Sequence, residues 1–170
     1  MLELFLLIGI VFLLIVLSMI WPPNSPWAPW WRTDEKTAEA ICRLAQVTEK
    51  DIVYDLGCGD GEVLLFAARN YDSCGVGVEI DPLRTLIAQF RVWKNKMSKK
   101  VVIKRKNFFD EDISRATVVI VYLVPKALQL LLPKFERELK KGTRIVSYRY
   151  DVPLKLKKSD TKYNLRLYVV

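Results

Sequence analysis

The chain of 170 residues is basic, with 27 Lys and Arg against 19 Asp and Glu, and it contains no histidine. Its three cysteines form no C-x-x-C pair, which argues against a disulfide framework or a zinc site and favours a reducing compartment. The formal charge of +8 favours an anionic partner surface, with a merely solvated basic surface as the alternative, and the length leaves room for one small domain beyond the apolar N-terminus.

The first predicted element is an apolar helix. Residues 4–21 carry no charge, and at about 1.5 Å per residue they would span about 27 Å, just enough to cross a bilayer. The acidic Glu3 before this run and the Trp-Pro-Pro at its end do not fit a cleaved signal peptide. We therefore predict a transmembrane anchor over residues 1–21, with a buried soluble helix as the alternative.

The distribution of charge predicts the orientation of that anchor. Arg32, Lys36 and Arg43 lie on its carboxyl side, whereas its amino side has no basic residue. Because positive charge marks the cytoplasmic side, the sequence predicts a single-pass membrane protein whose main domain is cytoplasmic.

Residues 22–33 are predicted to form an extended, semi-rigid linker because four prolines interrupt them. Two interpretations of the tryptophans between residues 27 and 31 stay open. They form an interfacial aromatic belt at a membrane, or Trp30 and Trp31 fold over the ligand of the following domain. On the second interpretation Trp31 and Thr33 contact that ligand, and Thr33 caps the next helix.

The rest of the chain, residues 34–170, alternates helical and strand patterns. This order predicts a single α/β, Rossmann-like domain with a mostly parallel sheet, ending in an antiparallel C-terminal strand. The predicted helices cover 34–46, 62–70, 82–95 and 126–140, and the predicted strands cover 52–56, 75–80, 101–104, 117–123, 143–149, 153–157 and 163–169.

A glycine-rich loop follows the first of these strands, where parallel sheets bind ligands. Its sequence, Asp55-Leu-Gly57-Cys58-Gly59-Asp60-Gly61, lacks both the glycine spacing of a dinucleotide site and the Gly-Lys-Ser/Thr of a P-loop. Its acids would repel phosphate and suit a cationic ligand. The loop resembles motif I of class I methyltransferases that depend on S-adenosylmethionine (SAM). The resemblance implies that residues 55 and 57–61 bind this cofactor.

The ends of the next two strands provide further candidate cofactor residues. Glu79, followed by Ile80, lies about 20 residues beyond the glycine loop, where an acid accepts hydrogen bonds from ribose hydroxyls. Asn107 can donate and accept along the adenine edge, and Phe108 can pack against the ring. We therefore add Glu79, Ile80, Asn107 and Phe108 to the predicted SAM site.

Five segments together resemble the small archaeal-type protein lysine methyltransferases, whose relatives include the enzyme that methylates a lysine of the ATP synthase c subunit. The resemblance covers about residues 27–170 and implies methylation of a lysine Nε. This chain departs from the family pattern in two ways. Glu62 occupies a position that is usually basic, and the predicted anchor is absent from the soluble archaeal members. The segments are Tyr54-Asp-Leu-Gly-Cys-Gly-Asp-Gly61, Gly77-Val-Glu79, Asn107-Phe-Phe-Asp110, Ala116-Thr-Val-Val119 and Leu139-Lys-Lys-Gly-Thr-Arg-Ile-Val-Ser147.

The exit of the fourth strand is the predicted acceptor site. Tyr122, Val124 and Pro125 stand where an aromatic, desolvated channel would help a lysine lose its proton. An equal alternative for Tyr122 is simple packing at the strand end. The Asn/Asp-Pro-Pro-Tyr sequence of many enzymes that methylate amide or base nitrogens is replaced here by Tyr122-Leu-Val-Pro125, which argues against a nucleic-acid substrate.

The sequence therefore predicts a membrane-anchored, SAM-dependent protein N-methyltransferase that acts on a lysine of a membrane-associated protein, with no nucleic acid and no metal as partners. Alternatives are a phospholipid or quinone methyltransferase and a non-catalytic SAM-binding protein. The basic run from Arg91 to Lys106 is predicted to be solvated surface at the opposite edge of the sheet.

Overall fold

The computed structural model of the chain describes residues 2–20 and 32–170, with side chains from residue 3 to residue 15 in the first of these segments. Five helices and seven strands lie in these ranges. In chain order they are α1 (Leu2–Ile20), α2 (Glu35–Ala45), β1 (Ile52–Leu56), α3 (Glu62–Tyr71), β2 (Cys74–Glu79), α4 (Pro82–Lys94), β3 (Val101–Arg105), β4 (Val118–Val121), α5 (Pro125–Glu138), β5 (Arg144–Tyr148), β6 (Leu156–Asp160) and β7 (Leu165–Val169).

The seven strands form one mixed sheet in the order β3-β2-β1-β4-β5-β7-β6. The first five strands in chain order are parallel to one another, and β7 pairs antiparallel with both β5 and β6. The chain reverses its strand order between β1 and β4, so the carboxyl ends of these two strands flank the crevice where such sheets bind ligands. The predicted Rossmann-like α/β domain is confirmed.

Each face of the sheet is covered by apolar side chains, because the central strands alternate between two buried surfaces. Val53, Val118 and Ile120 pack with helices α2, α3 and α4 on one face. The alternate residues of β1 and β4 pack with α5 and with the segment around Ile113 on the second face. They are Tyr54, Leu56, Val119 and Val121. The sheet is thus the middle layer of three, and its carboxyl edge is left accessible.

The predicted transmembrane anchor is wrong. No helix within residues 2–20 and 32–170 combines the length and the apolar character that crossing a membrane requires. The predicted single-pass location is therefore not supported.

Two local predictions were also wrong. Asp34, and not Thr33, caps α2, since the Asp34 carboxylate accepts a hydrogen bond from the Thr37 N–H at 2.8 Å. The sixth strand covers Leu156–Asp160 and not 153–157, so Ser159 and Asp160, which lie beyond the predicted strand, pair with Arg166 and Leu165 of β7. All of β6 except its last residue is exposed at this edge of the sheet.

Gly77 allows β2 to lie close to the glycine loop and to α3. An added Cβ at Gly77 would lie 2.7 Å from Cys58 Sγ, 2.7 Å from Ile103 Cδ1 and 2.9 Å from Leu64 Cδ1. These distances are shorter than any carbon contact in a packed core, and none of the three side chains is at the surface. At Gly75 in the same strand, the nearest contact would be 3.1 Å, to Leu64 Cδ2.

We expect Gly77→Ala to lower the free energy of unfolding by about 2–3 kcal/mol, because three buried side chains must move to admit one methyl group. Gly75→Ala is the matched control, with an expected loss below about 1.5 kcal/mol, since one flexible leucine can adjust. Urea unfolding followed by circular dichroism measures both. Equal losses in the two variants would show that the close approach at Gly77 is not what limits this packing.

Candidate active site

A cavity opens at the carboxyl edge of β1, β2, β4 and β5. Its volume is about 300 Å³, within the range of small-molecule sites. It is lined by Arg32, Thr33, Ile41, Asp55, Gly57, Cys58, Gly59, Asp60, Glu62, Val63, Glu79, Ile80, Arg84, Ile87, Arg91, Phe108, Ile120, Tyr122 and Tyr148.

Backbone hydrogen bonds fix the glycine loop on the end of β2. The N–H groups of Gly57 and Cys58 both donate to the Val78 carbonyl, at 2.8 and 3.1 Å. Gly57 and Gly59 have φ values of +89° and +55°, a left-handed conformation that glycine adopts without a steric penalty. The loop therefore presents backbone to the cavity, with no Cβ between it and a ligand at these two positions.

Glu79, at the end of β2, joins the loop to the start of α4. Its Oε2 accepts a hydrogen bond from the Gly59 N–H at 3.0 Å, and its Oε1 accepts one from the Asp81 N–H at 2.9 Å. Burial raises the pKa of the Glu79 carboxyl, and the two backbone donors oppose that rise. Each carboxylate oxygen has a second lone pair, so Glu79 retains the capacity to accept hydrogen bonds from a ligand.

Asp55 lies at the end of β1, on the floor of the cavity. Burial, with further contributions from the neighbouring Glu79 and Asp60 charges, raises the pKa of Asp55 to about 7. A cation bound nearby would reverse this effect by favouring the charged carboxylate. Asp55 is thus a buried acid that lacks a fixed positive partner among the groups that set its pKa, and it is suited to a cationic ligand.

The other two acids of the region are bound by arginines. Asp60 accepts from Arg32 Nε at 2.8 Å and from Arg91 Nη1 at 2.7 Å. Glu62 also pairs with Arg91, and with Arg69 at 3.5 Å. The prediction that placed Arg91 on solvated surface was wrong, because α4 turns this residue toward the loop. The same pairs reduce the negative charge that the sequence had assigned to the loop.

Aromatic side chains form the end of the cavity nearest β4 and β5. Tyr122 follows β4 and Tyr148 ends β5, and their ring centroids are 4.5 Å apart. Tyr150 lies beyond them, with its ring centroid 6.4 Å from that of Tyr122. Both cavity-lining tyrosines are half-buried, so one side of the pair stays accessible.

Most of the predicted site residues come together around this cavity. Those that line it are Thr33, Asp55, Gly57, Cys58, Gly59, Asp60, Glu79, Ile80, Phe108 and Tyr122. Gly61 caps α3, and Asn107 Oδ1 accepts a hydrogen bond from the Phe109 N–H at 3.1 Å. Val124 and Pro125 begin α5 next to the aromatic end and are not among the described lining residues. Trp31 lies outside the described residues.

Sequence reasoning missed several of the residues that line the cavity. Arg84, Ile87 and Arg91 lie on one side of α4, and their spacing of three and four residues was a usable signal. Tyr148 ends the strand next to β4, so the pairing of β4 with β5 would have placed it beside Tyr122. Ile41 and Val63 come from helices α2 and α3, and only the packed structure brings them to the cavity.

The site fits a nucleoside that carries a positive charge. Glu79 can accept from ribose hydroxyls, Asp55 can meet a cation, and the apolar Ile80, Ile87 and Phe108 can pack on a base. No cluster of His, Cys, Asp and Glu among residues 2–20 and 32–170 is arranged to hold a metal ion.

Comparison with known proteins agrees with this site. Residues 55–158 match a family model, the ANTKMT methyltransferase domain. The chain belongs to this methyltransferase family. It is 37% identical to a protein-lysine N-methyltransferase of Saccharolobus islandicus over 160 residues, which cover 89% of this chain and 98% of that protein. The predicted class I methyltransferase and its cofactor SAM are thereby confirmed.

Two further similarities come from a longer protein and from a solved structure. The adenine nucleotide translocase lysine N-methyltransferase of Mus musculus is 34% identical over 99 residues, 58% of this chain and 43% of that protein. The chain thus spans less than half the length of that relative. A crystal structure of an RNA methyltransferase from Salinibacter ruber with S-adenosyl-L-homocysteine superposes with a TM-score of 0.79 at 32% identity, over 82% of this chain and 93% of that one.

For this methyltransferase domain, we expect Asp55→Asn to be more stable than the wild type at high pH. The pKa of Asp55 is about 7 when folded and about 3.9 when unfolded, so between these values the folded state holds a proton that the unfolded state releases. Stability is therefore lost as pH rises through this window. Urea unfolding at pH 8 should favour the variant by about 2–4 kcal/mol, with little difference at pH 4.

Asp51→Asn is the control of opposite sign. Burial acts to raise the pKa of Asp51, but hydrogen bonds from Thr117 and Thr48 and the charge of Arg144 outweigh it, so the pKa is lowered. Asp51 therefore stabilises the fold above the unfolded pKa, and its variant should be less stable at pH 8. If Asp55→Asn were also destabilising at pH 8, the raised pKa of Asp55 would be refuted.

Proposed function

We propose that this methyltransferase transfers a methyl group from SAM to the side-chain nitrogen of a lysine in a protein. The observation that supports it most is the Tyr122–Tyr148 pair, which forms an apolar, half-buried end to a cavity otherwise suited to the cofactor. The protein-lysine N-methyltransferase of Saccharolobus islandicus, which the chain matches over nearly its whole length, supports the same acceptor.

The proposed cofactor contacts divide among the three strand ends. Glu79 accepts from the ribose hydroxyls, Asp55 faces the positive charge, and Phe108 packs on the base. Asn107, whose side chain stabilises the turn before Phe109, supports the base-binding segment. Thr33 lines the same cavity, and the predicted contact of Trp31 with the cofactor stays a prediction.

The bound cofactor supplies a methyl carbon activated by a positive sulfonium. The lysine nitrogen uses its lone pair to form the new N–C bond, the C–S bond breaks, and the sulfur keeps the electron pair as a neutral thioether. The protein's part is to align the amine and exclude water. Presenting a neutral lysine at pH 7 costs about 4–5 kcal/mol from its reference pKa of about 10.4, so a site that disfavours the charged amine accelerates transfer.

We assign the walls of the acceptor channel to Tyr122 and Tyr148, with Val124 and Pro125 fixing the turn into α5 beside them. These residues carry no charge, so they desolvate the amine without stabilising its protonated form. The predicted location of the acceptor protein at a membrane rests on the sequence alone and stays a prediction.

The function is tested by following a methyl label. The chain is incubated with methyl-labelled SAM and, in separate reactions, with a soluble protein extract, a membrane fraction and total RNA. We expect label in protein, recovered after acid hydrolysis as Nε-methyllysine. Label in lipid would instead indicate a phospholipid or quinone acceptor, and label in RNA would agree with the activity named for the Salinibacter ruber relative. Cofactor binding without any transfer would indicate a non-catalytic protein.

We expect Glu79→Gln to weaken SAM binding about 10- to 100-fold. The amide loses the negative charge, and its NH₂ group faces a backbone N–H that now lacks an acceptor. Isothermal titration calorimetry measures the dissociation constant. Glu111→Gln is the control, since Glu111 is an equally buried carboxylate that pairs with Lys104 and Lys106 away from the cavity. An unchanged dissociation constant for Glu79→Gln would remove Glu79 from the cofactor site.

A further inference from the structure

The segment after β5 makes a tight turn at Arg149. The Tyr150 N–H donates to the Tyr148 carbonyl at 2.9 Å, and Arg149 between them has a φ of +71°. A left-handed conformation of this kind is unfavourable for a residue with a long side chain. The turn brings Tyr148 and Tyr150 against Tyr122, and it is stabilised by the Ser147 hydroxyl, which donates to the Tyr150 carbonyl at 2.5 Å.

The neighbouring strand β7 holds this turn in place. The Arg149 N–H donates to the Asn164 carbonyl at 2.8 Å, and the Arg149 carbonyl accepts from Arg166 Nη1 at 3.0 Å. Arg166 is itself fixed by Asp151, whose carboxylate lies 2.6 Å from Arg166 Nε. The backbone of Arg149 is thus bound on both sides, so its conformation is imposed by the surrounding structure.

The side chain of Arg149 lies over the aromatic end of the cavity. Its Cζ is 6.0 Å from the centroid of the Tyr122 ring, within the range of a cation–π contact. Burial raises the pKa of the Tyr122 hydroxyl, and the Arg149 charge opposes this rise. A permanent positive charge therefore acts on the side chain to which we assign the wall of the acceptor channel.

The other charged groups around this end do not cancel that charge. Tyr148 and Tyr150 are the remaining titratable groups that act on Tyr122. Asp151 of the same turn is paired with Arg166 of β7. On the cofactor side the charged lining groups are Asp55 of β1, Asp60 and Glu62 with Arg32 and Arg91 bound to them, Glu79 of β2, and Arg84 of α4.

We propose that Arg149 keeps the acceptor lysine of the proposed reaction neutral, by placing a fixed positive charge beside the channel formed by Tyr122 and Tyr148. The inference rests on the proposed function, because it concerns the amine that enters this channel. A like charge disfavours a protonated amine, so the lysine loses its proton to water before its lone pair attacks the methyl carbon. Arginine suits this role because its guanidinium stays charged throughout the neutral and moderately alkaline pH range.

The test measures initial rates of methyl transfer to a soluble protein extract between pH 7 and pH 10.5, at saturating labelled SAM. At this cofactor concentration the titration of Asp55 does not limit the rate. Arg149→Gln removes the charge, and Arg149→Lys keeps a charge on an equally unfavourable backbone. Lys155→Gln is the matched control, because it removes one exposed positive charge from the following segment.

We expect Arg149→Gln to transfer about tenfold more slowly than the wild type at pH 8 and at a similar rate at pH 10.5, which corresponds to a rise of about one unit in the pKa of the acceptor amine. Arg149→Lys should recover most of the loss, and Lys155→Gln should follow the wild-type profile. The SAM dissociation constant should be the same in all four proteins.

A rate ratio between Arg149→Gln and the wild type that is the same at every pH would show a structural role only, and it would overturn this inference while leaving lysine methylation intact. Failure of the wild type to label any protein lysine at any pH would overturn the proposed function together with the inference. Normal SAM binding by the wild type in that experiment would show that the acceptor, and not the cofactor, had been assigned wrongly.

Discussion

The attachment of the glycine loop to the end of β2 is the constraint on which the site depends. The Val78 carbonyl and the Glu79 carboxylate hold three successive N–H groups of the loop, those of residues 57–59. This arrangement is possible only because Gly77 has no side chain where Cys58, Leu64 and Ile103 meet. The loop, the strand and the first turn of α3 are consequently one rigid unit, and the cavity is formed before any ligand enters.

Several acidic side chains lie in or beside that rigid unit, and they occupy two kinds of environment. Asp60 and Glu62 are bound by Arg32, Arg69 and Arg91. Asp55 and Glu79 face inward, where burial raises the pKa of each. The ionised forms of these two carboxyls are unfavourable in the free protein and become favourable beside a positive ligand. Relief of this cost contributes to the affinity for the cofactor.

Much of this arrangement was predictable from local sequence patterns. The strand ends that carry Asp55, Glu79 and Tyr122 could be placed because parallel strands align their carboxyl ends. The roles of Arg91 and Tyr148 required knowledge of which helix face and which strand pair meet at the cavity, and a single sequence does not encode that locally. The membrane anchor was predicted from apolar composition alone, and no helix among residues 2–20 and 32–170 meets the requirements for crossing a membrane. The bounds of β6 were misplaced because Ser159 and Asp160, residue types that favour turns, lie within this exposed edge strand.

Those exposed lysines have a consequence for how a protein acceptor is recognised. Strand β6 forms one border of the sheet, and its Lys157 and Lys158 side chains, with an irregular register against β7, oppose the addition of another strand. The other border, β3, exposes Lys104 and Arg105. An incoming polypeptide is thus prevented from aligning its backbone with this sheet. On the proposed function, a protein acceptor would therefore present its lysine as a projecting side chain on a helix or a loop, and its recognition would rest on the shape of the tyrosine-lined opening.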